Sequence, residues 1–431
     1  MKRAVLLLAG ASLALAGCAR KGVDPDRQIG PDPWLPTISQ YLVPPMHVVA
    51  PSPWGSATPS VPADLKVQAF ATGLAHPRSL YTLPDGDVLV VETDGPPEPI
   101  HRPKDIVMQL IQAHGHGDAK AGMDIILLRD ADGDGVPELR TRFLSGLKSP
   151  FGVALVGSDL YVANTDAIVR CPYQPGQTRI TAPGVKLVDL PGGPIDHHYT
   201  KSLVASPDGS KLYVGVGSNS NITENGMDAE RGRAAIWEVD RVTGAHRLYG
   251  TGLRNPNGLQ FEPQTHVLWT VVNERDELGP DLVPDYLTSV RDGGFYGWPY
   301  SYWGRHVDPR VRPQRPDLVA KAIVPDYSLS SHVAPLGMVF STAAAALPPR
   351  WRSGAFVGEH GSWNRGHLNG YKVIYVPFAN GRPAGKAIDV VTGFVSGDKA
   401  RGRPVGLGLD RTGALLIADD LGNTVWRVSA R

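Results

Sequence analysis

From about Leu65 onward, short apolar runs alternate with polar turns in a unit that recurs along the chain. Each copy has a Gly- or Pro-containing start, a short apolar stretch, a turn such as Pro84-Asp85-Gly86 or Pro207-Asp208-Gly209, and a β-rich run ending in a polar residue. The runs are Leu89 to Glu92, Leu160 to Asn164, Leu212 to Gly215, Leu268 to Val271, Ala355 to Gly358 and Leu415 to Asp419. Six copies, spaced about 50 to 90 residues apart, match blades of a few antiparallel strands with variable insertions. The pattern predicts an all-β chain folded as a six-bladed β-propeller over residues 65–431, with a two-sheet sandwich or tandem small β domains as alternatives. In a propeller, loops at equivalent repeat positions converge on the rim of the central channel, so polar rim loops are where chemistry is expected.

The residues before the repeats read differently. Lys2 and Arg3, the apolar run from Ala4 to Ala16 and the sequence Leu15-Ala16-Gly17-Cys18 form an n-region, an h-region and a lipobox. The run is short of the roughly 20 apolar residues that span a bilayer. We read residues 1–17 as a lipoprotein signal peptide and Cys18 as the lipidated first residue; a short buried helix or an ordinary secretory signal is the alternative. Residues 18–64, with ten prolines between Pro25 and Pro62 and no sustained periodicity, are expected to be a semi-rigid linker from a lipid anchor to the domain. This puts the protein on the periplasmic side of a bacterial membrane, and Ala19 after Cys18 favours the outer membrane. Cys171 is then without a cysteine partner and is expected to be a buried small hydrophobe.

Charge and composition remove several function classes. Lys+Arg 43 against Asp+Glu 42 leaves no electrostatic footprint for nucleic acid. Gly 49 and Pro 39 favour short elements and turns. No Gly-X-Ser-X-Gly elbow, Walker loop or dinucleotide fingerprint follows a strand, which disfavours nicotinamide and ATP chemistry.

Six polar constellations could carry chemistry. Asp196-His197-His198 follows a Gly/Pro-rich loop; a His beside a carboxylate can be a tuned general base, and adjacent His are also common on surfaces and in metal sites. Arg254-Asn255-Pro256-Asn257-Gly258 offers a fork of donors for a carboxylate or oxyanion, or an arginine that pins blades through backbone carbonyls. Asn273 to Asp281, with Asp285 behind it, clusters carboxylates with a Gly279-Pro280 turn, suited to Ca²⁺ or to a solvated loop. Asp130-Ala131-Asp132-Gly133-Asp134-Gly135 resembles the start of a Ca²⁺ loop, but Thr141 stands where an EF-hand needs a bidentate Glu, so an Asx-turn hairpin is expected. His114-Gly115-His116-Gly117-Asp118 lacks a full metal-ligand set and reads as a polar loop, while Glu359 to Arg365 puts polar groups at an expected rim position.

Asp196-His197, Arg254 to Leu259, Gly279-Pro280 followed by acids, Gly293-Gly294-Phe295-Tyr296-Gly297-Trp298-Pro299 and Gly402-Arg403-Pro404 together resemble the pyrroloquinoline-quinone (PQQ)-dependent sugar dehydrogenases, the soluble glucose/aldose dehydrogenase-like propellers. The sorbosone dehydrogenase branch is the nearest likeness, from about Leu65 to the C-terminus. The resemblance implies that His197 is the general base for the sugar's anomeric hydroxyl during hydride transfer from C1 to C5 of PQQ, with Asp196 orienting it. It implies Arg254 and Asn255 against the quinone oxygens, Gly279 and Pro280 carbonyls on a Ca²⁺, and Arg403 as the first of two arginines near the PQQ carboxylates. Two departures stand out. Pro404-Val405-Gly406 replaces the second arginine, and the glucose enzymes' lysine has no match between Glu359 and Arg365, where Arg365 or Lys372 would have to substitute.

The expected function is therefore oxidation of an aldose or sugar aldehyde, with electrons passed to a respiratory acceptor, a quinone or a cytochrome. A Ca²⁺-dependent propeller lactonase or esterase, and a non-catalytic propeller that binds a glycan or partner protein, are the alternatives, since this fold hosts many functions.

Overall fold

The computed structural model describes residues 24–41, 45–96, 122–193 and 197–431. Cys18, Asp196 and the His114 to Asp118 loop lie outside these residues. Among the described residues, six sheets of four or five strands, antiparallel but for one edge pair, carry the architecture. Their first strands are Pro77–Thr82, Gly152–Val156, Leu203–Ala205, Pro256–Phe261, Pro335–Phe340 and Pro404–Leu409, and each lies beside the next, the last returning to the first. The chain is thus a β-propeller ring.

Second strands read as continuous apolar runs because both of their faces are covered. Val88–Glu92, Leu268–Val272 and Leu415–Asp419 are buried at every position. Outer strands such as Val185–Asp189 and His246–Thr251 are largely exposed. Among the described residues the core is divided into six apolar clusters, one between each pair of neighbouring sheets. Leu89 and Leu127 pack with Leu160 and Val162 in one wedge, and Trp269 and Leu287 with Val357 and Ile374 in another.

At the channel the first strands approach so closely that a side chain does not fit. A Cβ on Gly258 would lie 2.8 Å from the Met338 amide nitrogen, and one on Gly406 2.8 Å from the Arg78 carbonyl. These glycines close the ring tightly. The ring is sealed by two strands far apart in sequence: Leu65–Ala71 is the outermost strand of the last sheet and pairs antiparallel with Thr424–Ala430, Leu65 opposite Ala430.

The proline-rich segment expected as a spacer is, over its described part, packed on the ring. Ile29–Gly30 adds a fifth strand beside Tyr327–Ser331. Gln28 is fully buried, its amide donating to the Asp281 carbonyl at 2.6 Å. Val49 is buried in a core wedge, and the Trp54 indole donates to Asp419 at 2.8 Å. Prolines interrupt regular strands here, but single large side chains still find sockets. Cys171 is a buried free thiol, as expected. Among the described residues no helix is long and apolar enough to cross a membrane.

Candidate active site

The first strands begin, and the second strands end, at the same end of the ring, so residues just outside them converge there. They enclose a cavity of about 340 Å³. Arg254 and Asn255 reach it from just before Pro256–Phe261, Arg403 from just before Pro404–Leu409, Asn273 and Glu274 from just after Leu268–Val272, and His360 from just after Gly354–Glu359.

One wall is cationic. Arg78 Nη1 donates to Asp420 Oδ2 at 2.5 Å, and His360 Nε2 lies 2.9 Å from the same oxygen. Arg78 Nε and Asp420 Oδ1 are buried with no hydrogen-bond partner among the described residues. Burial opposes ionisation of Asp420, but His360 and Arg78 outweigh it and hold the carboxyl well below its ordinary range. Burial likewise pushes His360 down to about 4 against the pull of Asp420, so its ring is neutral at pH 7. Arg403 lines the same wall, its amide donating to Asp419 Oδ1 at 2.8 Å. Arg78 and Arg403 thus both present guanidiniums to the cavity, and Asp420 pairs with the first.

The opposite wall is rich in oxygen. Asp276 lines the cavity and accepts from Asn364 Nδ2 at 2.5 Å. Burial opposes its ionisation, yet the His332 ring and the Arg254 charge lower its carboxyl overall. Asp285 accepts only backbone amides, those of Glu274 at 2.7 Å and Ala334 at 2.8 Å, and burial raises it to about 7. Asn255 Oδ1 and Asn364 Oδ1 are buried acceptors with no partner among the described residues. Arg254 combines both roles its sequence left open: its guanidinium pins the carbonyls of Asn221 and Glu274 and lines the cavity.

Between the walls stand two histidines. His197 lines the cavity with its ring exposed to solvent. His198 also lines it, but its Nδ1 lies 2.8 Å from the Ser218 carbonyl. Burial first, then the Arg254 charge, lower its pKa well below the ordinary histidine range. The network assigns the proton to Nδ1, leaving Nε2 with a lone pair on a fixed, neutral ring.

Several expected site residues lie elsewhere. Arg365 does not line the cavity; its guanidinium donates to Asp281 at 2.6 Å and to the Ser331 carbonyl. Lys372 pairs with Asp389 at 2.7 Å. Gly279 and Pro280 do not line the cavity either: the Gly279 carbonyl meets His332 Nε2 at 3.2 Å and accepts the Leu282 amide, while Ser39 covers the turn by bonding the Leu278 carbonyl. Asp130, Asp132, Asp134 and Glu138 do cluster, and their oxygens cap the loop's own amides as an Asx-turn hairpin does.

Sequence reasoning missed Arg78, His332 and Asp420. A signal for the first existed. Pro77-Arg78-Ser79-Leu80 aligns with Pro256-Asn257-Gly258-Leu259 and Pro404-Val405-Gly406-Leu407, which marks Arg78 as the start of a first strand at the channel rim.

Comparison with known proteins agrees with this architecture. The calcium structure of the Carbohydrate-Active Enzymes Family AA12 protein of Trichoderma reesei superposes with a TM-score of 0.70 at 20% identity, covering 90% of this chain and 99% of that one. The holo form of the pyranose dehydrogenase PQQ domain of Coprinopsis cinerea gives 0.68 at 21% identity, covering 88% and 98%. In sequence, the chain is 23% identical over 322 residues to an aldose sugar dehydrogenase of Escherichia coli, 70% of this chain and 80% of that protein. The TrAA12-like family model matches residues 117–284 and 318–431, and on that match, which spans more than half of the sequence, the chain belongs to the TrAA12-like family.

Proposed function

We propose that this protein is a PQQ- and Ca²⁺-dependent sugar dehydrogenase on a six-bladed propeller, the six sheets being its blades. It oxidises an aldose or a sorbosone-like sugar aldehyde and delivers the electrons to a respiratory quinone or cytochrome. The observation that carries this reading is the meeting, in one cavity, of a fixed neutral imidazole, an arginine pair of net positive charge and an oxygen-rich acidic wall.

The residues fit the cofactors. A tricarboxylate needs cations, and Arg78, Arg403 and Arg254 all line the cavity, Arg78 with an Nε that lacks a partner among the described residues. Arg78 thereby stands in for the second arginine missing after Arg403. A hard divalent cation needs oxygens, which the Asp276 carboxylate and the buried Oδ1 of Asn364 would supply in place of Gly279 and Pro280. When bound, PQQ supplies a quinone able to accept hydride from the sugar's C1.

His198 is the base in this reading. Its Nε2 takes the C1 hydroxyl proton, and the Ser218 carbonyl, holding Nδ1–H, fixes the ring and stabilises the imidazolium that results. Arg254, anchored by the carbonyls behind it, keeps a positive charge against the developing negative charge without having to move. His197, beside it with ring centroids 5.8 Å apart, is left as a rim residue. Lipidation at Cys18 and attachment to the periplasmic face of the outer membrane belong to the same proposal, resting on the lipobox alone.

The test is a titration of metal-stripped protein with PQQ, with and without Ca²⁺, followed by a panel of aldoses. Ca²⁺-dependent PQQ binding with bleaching of the quinone absorbance on sugar addition is expected. Absence of PQQ binding under every metal condition would overturn the reading and leave the lactonase or glycan-binding alternative.

A further inference from the structure

The segment 45–54 is fixed to the ring on the last sheet's side. Ala50–Pro51 runs parallel to Lys399–Ala400, and the Ser52 amide donates to the Ala400 carbonyl at 2.8 Å. Val49 fills a core wedge, and Trp54 packs edge-on against Phe394 and Trp426, with centroids 5.6 and 5.1 Å away. Just before these anchors the segment runs along the cavity. There the His47 amide donates to the Trp363 carbonyl at 2.9 Å, and Val48 and Trp363 both line the cavity.

We propose that this segment is the sugar-side wall of the active site, with Val48 and Trp363 forming an apolar lip that limits which sugars enter. The inference rests on the proposed dehydrogenase function and deepens it. Apart from Ala334, Leu336, Gly361 and Tyr371, the other lining residues carry charged, amide or imidazole side chains suited to a carboxylated cofactor, a cation and a hydroxyl. An aldose also presents a C–H face, and a half-exposed indole beside a valine is the surface that receives one. Since the His47 amide is bonded to the Trp363 carbonyl and Val49 to Ser52 are held on the ring, Val48 acts as a fixed wall. The lip therefore selects monosaccharides over aldoses extended by a second sugar.

The experiment compares Val48→Trp and Val48→Gly with the wild-type full chain, using glucose and maltose as substrates and PQQ titration as the control. For Val48→Trp, we expect KM for glucose to rise about tenfold, with kcat within about twofold and the PQQ Kd unchanged. For Val48→Gly, the KM for maltose should fall relative to that for glucose by about threefold or more. Unchanged KM for both sugars in Val48→Trp, or a loss confined to PQQ binding, would overturn the proposal. Failure of the wild-type chain to bind PQQ is a separate result: it would overturn the dehydrogenase reading itself and, with it, the assignment of Val48 as a sugar contact.

Discussion

Asp285 lines the cavity and Asp420 lies behind Arg78 and His360 on the cationic wall; both aspartates are buried, and they ionise in opposite ways. Asp420 is flanked by the Arg78 guanidinium and His360 and stays charged far below the ordinary range. Asp285 is held by two backbone amides and is lifted to about 7. Equal burial, unequal partners: amide dipoles do not offset the desolvation that a directly bonded cation does. One wall therefore keeps a fixed charge pattern across the physiological range, and the other keeps a carboxyl poised near neutrality.

The strongest way to probe this contrast is to remove the base that stands between the walls. His198→Ala is expected to lower kcat about 10³-fold with PQQ binding unchanged, while His197→Ala stays within about twofold. The reverse pattern would return the role to His197. Because burial lowers the His198 pKa, kcat/KM in the wild-type chain should hold its plateau below pH 6.5 and fall only further into the acid range.

The cationic wall comes next. Arg403→Gln should weaken PQQ binding about 10- to 100-fold, the size of one charge-assisted contact, as read by quinone absorbance. Arg78→Met should do the same and also cost about 3–5 kcal/mol of stability, because it strands the Asp420 carboxylate. Arg78→Lys separates the two effects by keeping the charge. An unaffected PQQ Kd in both Arg403→Gln and folded Arg78→Met would remove this wall from cofactor binding.

The smallest expected effect sharpens the rule about partners on a third carboxyl. Glu359 is buried, its Oε2 lacks a hydrogen-bond partner among the described residues, and burial raises it to about 8 despite Lys372. Between its unfolded value near 4.3 and this folded value, the native state holds a proton that the unfolded state has lost, so stability falls as pH rises through that window and levels off above it. Glu359→Gln abolishes that slope. Its Tm relative to wild type should therefore climb between about pH 4.5 and 8 and stay constant beyond, in a thermal melt series.

Much of the ring was legible from sequence because repetition encodes it. The start Pro-x-Gly, the turn and the fully apolar second strand recur, and strands covered on both faces leave a run of hydrophobic residues that nothing else explains. The rim was legible in part. Arg254, Asn255, Asp276, His360 and Arg403 all line the cavity. What escaped depended on single contacts without a period. Nothing in the spacing says that Arg365 is turned to Asp281, or that His198 rather than its neighbour is bonded to Ser218. The N-terminal segment was misread for the same reason: Gln28, Val49 and Trp54 lie far apart among prolines, and each is held by a partner hundreds of residues away.

The strand Leu65–Ala71 that seals the last sheet has a kinetic consequence. Its partner Thr424–Ala430 lies far along the chain, so the ring's closing ladder is among its contacts of highest sequence separation. Loop-closure entropy must be met before that ladder gives anything back, which makes closure a late step of a high-contact-order fold. Until then the last sheet exposes an unpaired edge, a template for another chain. A chain lacking Thr424–Ala430 would leave Leu65–Ala71 and one edge of Leu415–Asp419 unpaired permanently, and concentration-dependent association rather than simple loss of activity would be its signature.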